Sequence, residues 1–383
     1  MSFSKSLSVV RGRFAPSLLY LLIAIVPLLT YPLEINGITI HPRKIREIGL
    51  YSFAIIICTF LERNRWLRYF VIWCVINWWL NFFSPRESYI GLTNIFSAFV
   101  MYIAIKQLLK DKFLKVDIIL KVICIMALFQ FGWVIMQMFN IDPVFYPVSA
   151  QGVAMKVRMP LCGWSGNPVL LGSFFVCSAF LFLHYFKIKK LPILFFLILT
   201  SVFITRSATV AIAFSIGGLF YLLNKYPLNR RYMLMGILII TMLFVFFYFF
   251  KSPNMDRWLI WKRLITDGIK IRPFVGSGIN FFGHLMILDK RTNTPWNEAH
   301  NDYLQLILEL GIVGFSLFSI FIISKIKEFY KVIRNNKRIC IASCLVAFLA
   351  LAFSLFPMRL AQLSFYAITL LACLDYETKI LQN

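Results

Sequence analysis

Acidic side chains are scarce in this chain: 16 Asp and Glu stand against 40 Lys and Arg, and there are only 4 His. A metal centre built from clustered carboxylates or His pairs has little to draw on, so no metal and no cofactor is expected. The eight cysteines lie almost entirely inside apolar runs, form no C-x-x-C pair and have no His at ligand spacing. They read as packing residues, which argues against a zinc site or a disulfide framework. The sequence also lacks a G-x-x-x-x-G-K phosphate loop, an internal repeat, a low-complexity tract and any polar stretch long enough for a soluble domain of ordinary size.

What is present is apolar. With 60% hydrophobic residues and 40 Phe among 383, the chain cannot hide its apolar groups in one water-soluble core, so the bilayer must be its main solvent. Runs long enough to cross roughly 30 Å of hydrocarbon recur from end to end. They predict twelve helices, near 16–34, 48–61, 66–83, 89–109, 117–139, 168–186, 191–205, 207–224, 232–250, 302–326, 339–356 and 359–375. The first follows Lys5, Arg11 and Arg13 as a signal peptide would, but it runs on without a small-residue cleavage pattern and is expected to be a retained helix. The expected fold class is all-α, a single polytopic membrane domain over residues 1–383.

A net charge of +24 would suit nucleic acid, but the basic residues sit in short clusters between apolar segments, as in cytoplasmic loops facing anionic lipid. Membrane lipids and not nucleic acid are the expected partners. With the N-terminus inside, 22 Lys and Arg fall on cytoplasmic segments and 8 on the short loops opposite. Both termini are therefore expected to be cytoplasmic. The two longest loops, 140–167 and 251–301, then face outward, and function is expected to concentrate there. Broken helices paired in matching halves, the cue for an inverted-repeat transporter, are not evident.

Three groups of residues in the second half could carry chemistry. His300, in Asn297-Glu298-Ala299-His300-Asn301-Asp302, stands at the outer end of a long apolar segment and is the best-placed titratable base. At about 100° per residue, His300, Leu304, Gly311 and Gly314 fall on one helix face while Glu309 points roughly opposite. An intramembrane Glu309 must be enclosed by protein on its side too, and the glycines allow close helix approach. The same residues also fit an interfacial His beside two packing glycines. Arg206, at an outer helix end, could grip a diphosphate bidentately, or could snorkel to the interface. Arg257 opens a short amphipathic helix with Trp258 and Trp261, and Lys262, Arg263, Lys270 and Arg272 extend its positive field. Pro273-Phe274-Val275-Gly276-Ser277-Gly278 is a Gly-rich turn with a structural role. The outer loops offer only scattered carboxylates, so arginine would have to neutralise a leaving diphosphate.

These pieces, in this order over about residues 160–320, resemble the O-antigen ligase family. The most specific part is His300-Asn301-x-x-Leu304 followed by Glu309-x-Gly311-x-x-Gly314; Gly163 to Gly172, Arg206-Ser207-Ala208, Arg257-x-x-x-Trp261 and Pro273-x-x-Gly276-x-Gly278 also match in order. The resemblance implies a GT-C-like membrane glycosyltransferase of the bacterial inner membrane with a periplasmic site. Its donor would be a glycan on undecaprenyl diphosphate and its acceptor a lipid A-core sugar hydroxyl. Arg206 and Arg257 would hold the diphosphate, helped by Asn301, Lys262 and Arg272. His300 would serve the acceptor, and Glu309, Gly311 and Gly314 would support the site. A polysaccharide polymerase using the same donor fits nearly the same chemistry; a flippase or transporter fits less well, because its charges should lie near the midplane.

Overall fold

The structure, a computed structural model, describes residues 33–35, 38–40, 65–81, 85–139, 168–185, 197, 200, 207–225, 255–285, 287, 298–330 and 336–379. The helices expected at 48–61 and 232–250, nearly all of those at 16–34 and 191–205, and the loop 140–167 lie outside these residues.

Eight of the expected segments are helices close to their anticipated bounds: α1 (Arg65–Leu80), α2 (Pro85–Lys110), α3 (Val116–Met138), α4 (Pro168–Tyr185), α5 (Ala208–Lys225), α7 (Asp302–Tyr330), α8 (Asn336–Leu351) and α9 (Ala361–Lys379). The short amphipathic helix is α6 (Met255–Arg263), extended by a π turn over Leu264–Ile269. Three of them, α3, α5 and α7, are long and apolar enough to cross a membrane. The chain is a helical membrane protein.

One short hairpin accompanies the helices. Leu33–Ile35 (β1) pairs antiparallel with Ile38–Ile40 (β2), Leu33 opposite Ile40 and Ile35 opposite Ile38. The run expected to stay helical to Glu34 therefore turns extended before that point. Alternating apolar residues around Asn36-Gly37 form the standard two-residue hairpin signal, which outweighs the hydropathy of the preceding stretch.

Helix α8 packs between α5 and α4, α9 lies against α2, and α7 lies against α1. At Gly217 on α5 a Cβ would sit 2.7 Å from Phe180 and 2.9 Å from Ala347, so this position must be glycine for α4, α5 and α8 to approach so closely. The core they share includes Tyr102, Phe175, Phe182, Phe365 and Tyr366, all fully buried. The six cysteines among the described residues are free and buried in this packing, as expected.

The two ends of the bundle are chemically different. At the end holding the last turns of α2, α7 and α9, the buried Asp375 receives Lys325 Nζ at 2.7 Å, Lys106 Nζ at 3.1 Å and the Tyr102 hydroxyl at 3.0 Å. At the other end the first turns of α5 and α7 meet the end of α8 and the 352–360 turn, and α6 joins them. That second end holds the candidate site.

Candidate functional site

Helix α7 is not the continuous cylinder that the periodicity implies. It starts at Asp302, and at Gly311 the backbone turns to φ 69°, ψ −178°, outside helical geometry. The break frees backbone groups that no water can reach inside a membrane, and each must find a partner. The Gly-rich turn 273–278 supplies them. Ile312 N–H donates to Pro273 O at 2.8 Å and Val313 N–H to Phe274 O at 3.3 Å, while Leu308 O accepts from Ser277 N–H at 2.8 Å and Glu309 O from Gly278 N–H at 3.0 Å. Trp73 Nε1–H, from α1, donates to Leu310 O at 2.9 Å. The structural role expected for this turn is borne out: it completes the hydrogen bonding of a broken helix.

Gly314 fits the close-approach reading, since a Cβ there would lie 2.9 Å from the Trp73 indole. Gly311 does not. Its positive φ and the loop backbone beside it require glycine because of the break.

His300 stands two residues before α7 with φ 52°, a left-handed conformation uncommon for residues other than glycine. It is therefore not on a helix face shared with Gly311 and Gly314, which corrects the alignment expected from helical periodicity. The turn carrying it is pinned on both sides. Ala299 N–H donates to Gln305 Oε1 at 3.0 Å, and Ala299 O accepts from Trp261 Nε1–H of α6 at 2.9 Å. Asn301 Oδ1 accepts from Leu304 N–H at 3.0 Å, a helix N-cap, and Asp302 N–H donates to Ala352 O at 2.9 Å. The imidazole packs edge-on against Phe356, ring centroids 4.9 Å apart. Burial, with the nearby Arg257 guanidinium, lowers the His300 pKa to about 4. The ring is therefore neutral at pH 7, the form that can accept a proton.

Arg257 comes from α6 and donates from Nη1 to Ser354 O at 2.9 Å and Ser354 Oγ at 3.0 Å. Ser354 Oγ also bonds Thr209 Oγ1 in the first turn of α5. Helix α8 stops at Leu351, short of the 356 expected from hydropathy, and the carbonyls of Ala352 and Ser354 just beyond it accept from Asp302 N–H and Arg257 Nη1. Arg206 lies outside the described residues, immediately before Ser207 and α5. Lys262 and Arg272 are exposed, and Arg272 Nη1 donates to Asn81 Oδ1 at 2.7 Å beside the Gly-rich turn.

Glu309 is 1% exposed, enclosed as an intramembrane carboxylate must be. Its partner is Arg359, a residue that the sequence alone presents as an ordinary outer-loop charge. Arg359 Nη2 reaches Glu309 Oε2 at 2.5 Å, and Nε lies 3.4 Å from Glu298 Oε2 and 3.9 Å from Asp302 Oδ1. Gln305 Nε2 ties Glu298 to Glu309, at 2.9 and 3.1 Å. Burial works against the Arg359 cation, but Glu309, Glu298 and Asp302 outweigh it and hold its pKa above the usual range. The available sequence signal was an unpaired intramembrane carboxylate together with a basic residue in a short outer loop, and nothing local joins them.

Fold and site thus define a helical membrane protein with a polar centre at one end of its bundle, held there by an ion pair. Residues 193–319 match the family model described as O-Antigen ligase, so that segment is similar to the O-antigen ligase family. Candidate polysaccharide ligases of three Rickettsia species are similar to it. The Rickettsia bellii protein is 22% identical over 176 residues, covering 40% of this chain and 43% of that protein. The Rickettsia felis protein is 24% identical over 182 residues, 42% and 45% of the two chains, and the Rickettsia prowazekii protein 26% over 176 residues, 40% and 44%. The match therefore spans less than half the length of these relatives. His300, Arg206, Arg257 and the other candidate site residues fall within 193–319, whereas Arg359 does not.

Proposed function

We propose that this protein is a glycan ligase that transfers a saccharide from undecaprenyl diphosphate to a sugar hydroxyl of lipid A-core, at the periplasmic face of the bacterial inner membrane. The observation that carries the reading is a neutral, half-enclosed His300 beside the Arg257 guanidinium, where one group can take a proton while the other meets an anion. The relatives' description as candidate polysaccharide ligases points the same way.

The reaction is a single displacement. The acceptor hydroxyl oxygen attacks the anomeric carbon, the bond from that carbon to the diphosphate oxygen breaks, and the electron pair leaves with undecaprenyl diphosphate. The hydroxyl proton passes to the His300 imidazole, and the anomeric configuration inverts. Arg257 and Arg206 stabilise the charge developing on the diphosphate, with Lys262, Arg272 and Asn301 as further contacts. This scheme assigns no step to a metal and consumes no nucleotide sugar. Both termini and the basic Asp375 end face the cytoplasm. The outer loops 140–167 and 251–301 meet the glycans. A polymerase that uses a second lipid-linked glycan as acceptor would share this chemistry.

The test is transfer by purified protein in detergent, with undecaprenyl diphosphate-linked glycan, lipid A-core and EDTA. Ligated product from wild type but not from His300→Ala or Arg206→Ala supports the assignment. Longer lipid-linked chains without ligated product would make the protein a polymerase. Unchanged variants would remove His300 and Arg206 from the site.

A further inference from the structure

Arg359 is a charged residue of this end that the proposed reaction leaves unused, and its contacts converge on the turn bearing His300. Its guanidinium touches carboxylates on both sides of that residue, Glu298 at 3.4 Å and Asp302 at 3.9 Å, as well as Glu309 one helix turn behind Gln305. The neighbouring Met358 N–H donates to Asp302 Oδ2 at 2.8 Å, so the 358–359 backbone and side chain grip the turn together. Gln305 links three of the same groups, bonding Ala299 N–H, Glu298 and Glu309.

A non-glycine residue at φ 52° is costly and persists only where its surroundings over-determine it. Packing and local capping supply part of that constraint through Trp261 and Asn301. The remainder comes from the other side of the bundle, through the turn between α8 and α9. Three carboxylates around one guanidinium also form a unit in which loss of the cation removes one contact from each flank of His300 at once.

The geometry points to Arg359 as a positioning residue for His300: through Glu298 and Asp302 it holds the imidazole where the acceptor hydroxyl is deprotonated. The inference rests on the transfer reaction proposed above. It places no substrate contact on Arg359, so the turnover number should fall while the KM for the lipid diphosphate donor stays the same. Arg359→Lys keeps the charge but cannot reach Glu309 and Glu298 together, and is intermediate.

The experiment measures kcat, donor KM and thermal unfolding for full-length wild type, Arg359→Met, Arg359→Lys and the double variant Arg359→Met/Glu309→Gln, with His300→Asn as the reference for a lost base. Arg359→Met leaves Glu309 buried without its cation and unfolds at a lower temperature; the double variant removes that charge and recovers the wild-type unfolding temperature. The expected result is that kcat stays at least tenfold down in the double variant, with donor KM unchanged, because the grip on Glu298 is still missing. Recovery of kcat together with stability would reduce Arg359 to a structural counter-ion. A rise in donor KM at constant kcat would make it a diphosphate ligand. If Arg359→Met cannot be purified, Arg359→Lys decides: wild-type kcat and KM in a stable protein would overturn the inference. An inactive wild type, or an active His300→Asn, would instead overturn the proposed reaction.

Discussion

Gly276 and Gly311 meet backbone to backbone. A Cβ on Gly276 would lie 2.4 Å from Gly311 N, and a Cβ on Gly311 would lie 2.1 Å from Phe274 O. Both residues have positive φ, 81° and 69°. The break in α7 and the turn that closes it are therefore one structural unit, and this unit puts Glu309 two residues ahead of the break, facing Arg359.

Alanine at position 311 should cost roughly 3 kcal/mol of stability or more, from the strained φ and the clash with the 274 carbonyl together. Gly132, in the middle of α3, is the control, because a Cβ there would meet nothing within 4 Å. Gly132→Ala should be neutral or stabilising by up to about 1 kcal/mol. Thermal unfolding of the two variants in the same detergent measures the difference.

His300→Asn separates chemistry from conformation. Asn tolerates the left-handed region better than most residues, so the turn should keep its shape while the base is lost. Transfer should fall by roughly 10² to 10⁴ with unfolding temperature close to wild type, as read by single-turnover assay and calorimetry.

The pH dependence follows from the direction of the His300 shift. Its folded pKa, about 4, lies below the ordinary 6.5, so the neutral base persists as the medium is acidified and the acid limb of kcat/KM should fall near pH 4. Arg257→Gln removes the nearer positive charge and should move that limb part of the way toward 6.5; burial, the larger cause, remains. Arg257 faces the ring from α6, and the carboxylates of Glu298 and Asp302 flank it in the chain. In stability terms, the contribution of the neutral buried ring is complete above pH 6.5 and is lost as pH falls through the folded value. A kcat/KM profile from pH 3.5 to 8 for both proteins checks the sign.

At the opposite end, Asp375→Asn would leave Lys106 and Lys325, 6% and 2% exposed, without their shared counter-charge. The expected loss is about 3–5 kcal/mol of stability, while transfer per folded molecule is preserved because Asp375 is far from His300 in the fold. Active-site titration of the folded fraction distinguishes the two effects.

Much of this protein is legible in its sequence. Sixteen acidic residues among long apolar runs already require a bilayer as solvent, and the apolar windows place eight helices to within a few residues over the described parts. His300, Arg257 and an enclosed Glu309 were legible because each is a polar group in an apolar setting, which is a local property of the chain. The break at Gly311 was not, since the windows record hydropathy and Gly311 interrupts the helix without interrupting the apolar run. Nor was the partner of Glu309: Arg359 is 50 residues away, and which cation reaches a buried carboxylate depends on how α7, α8 and α9 pack. Composition and periodicity thus determined the solvent, the helices and the candidate base. Only tertiary structure decided how the freed backbone groups at 308–313 are satisfied and which charges meet, because hydrogen bonds and ion pairs between distant segments leave no periodic trace in the sequence.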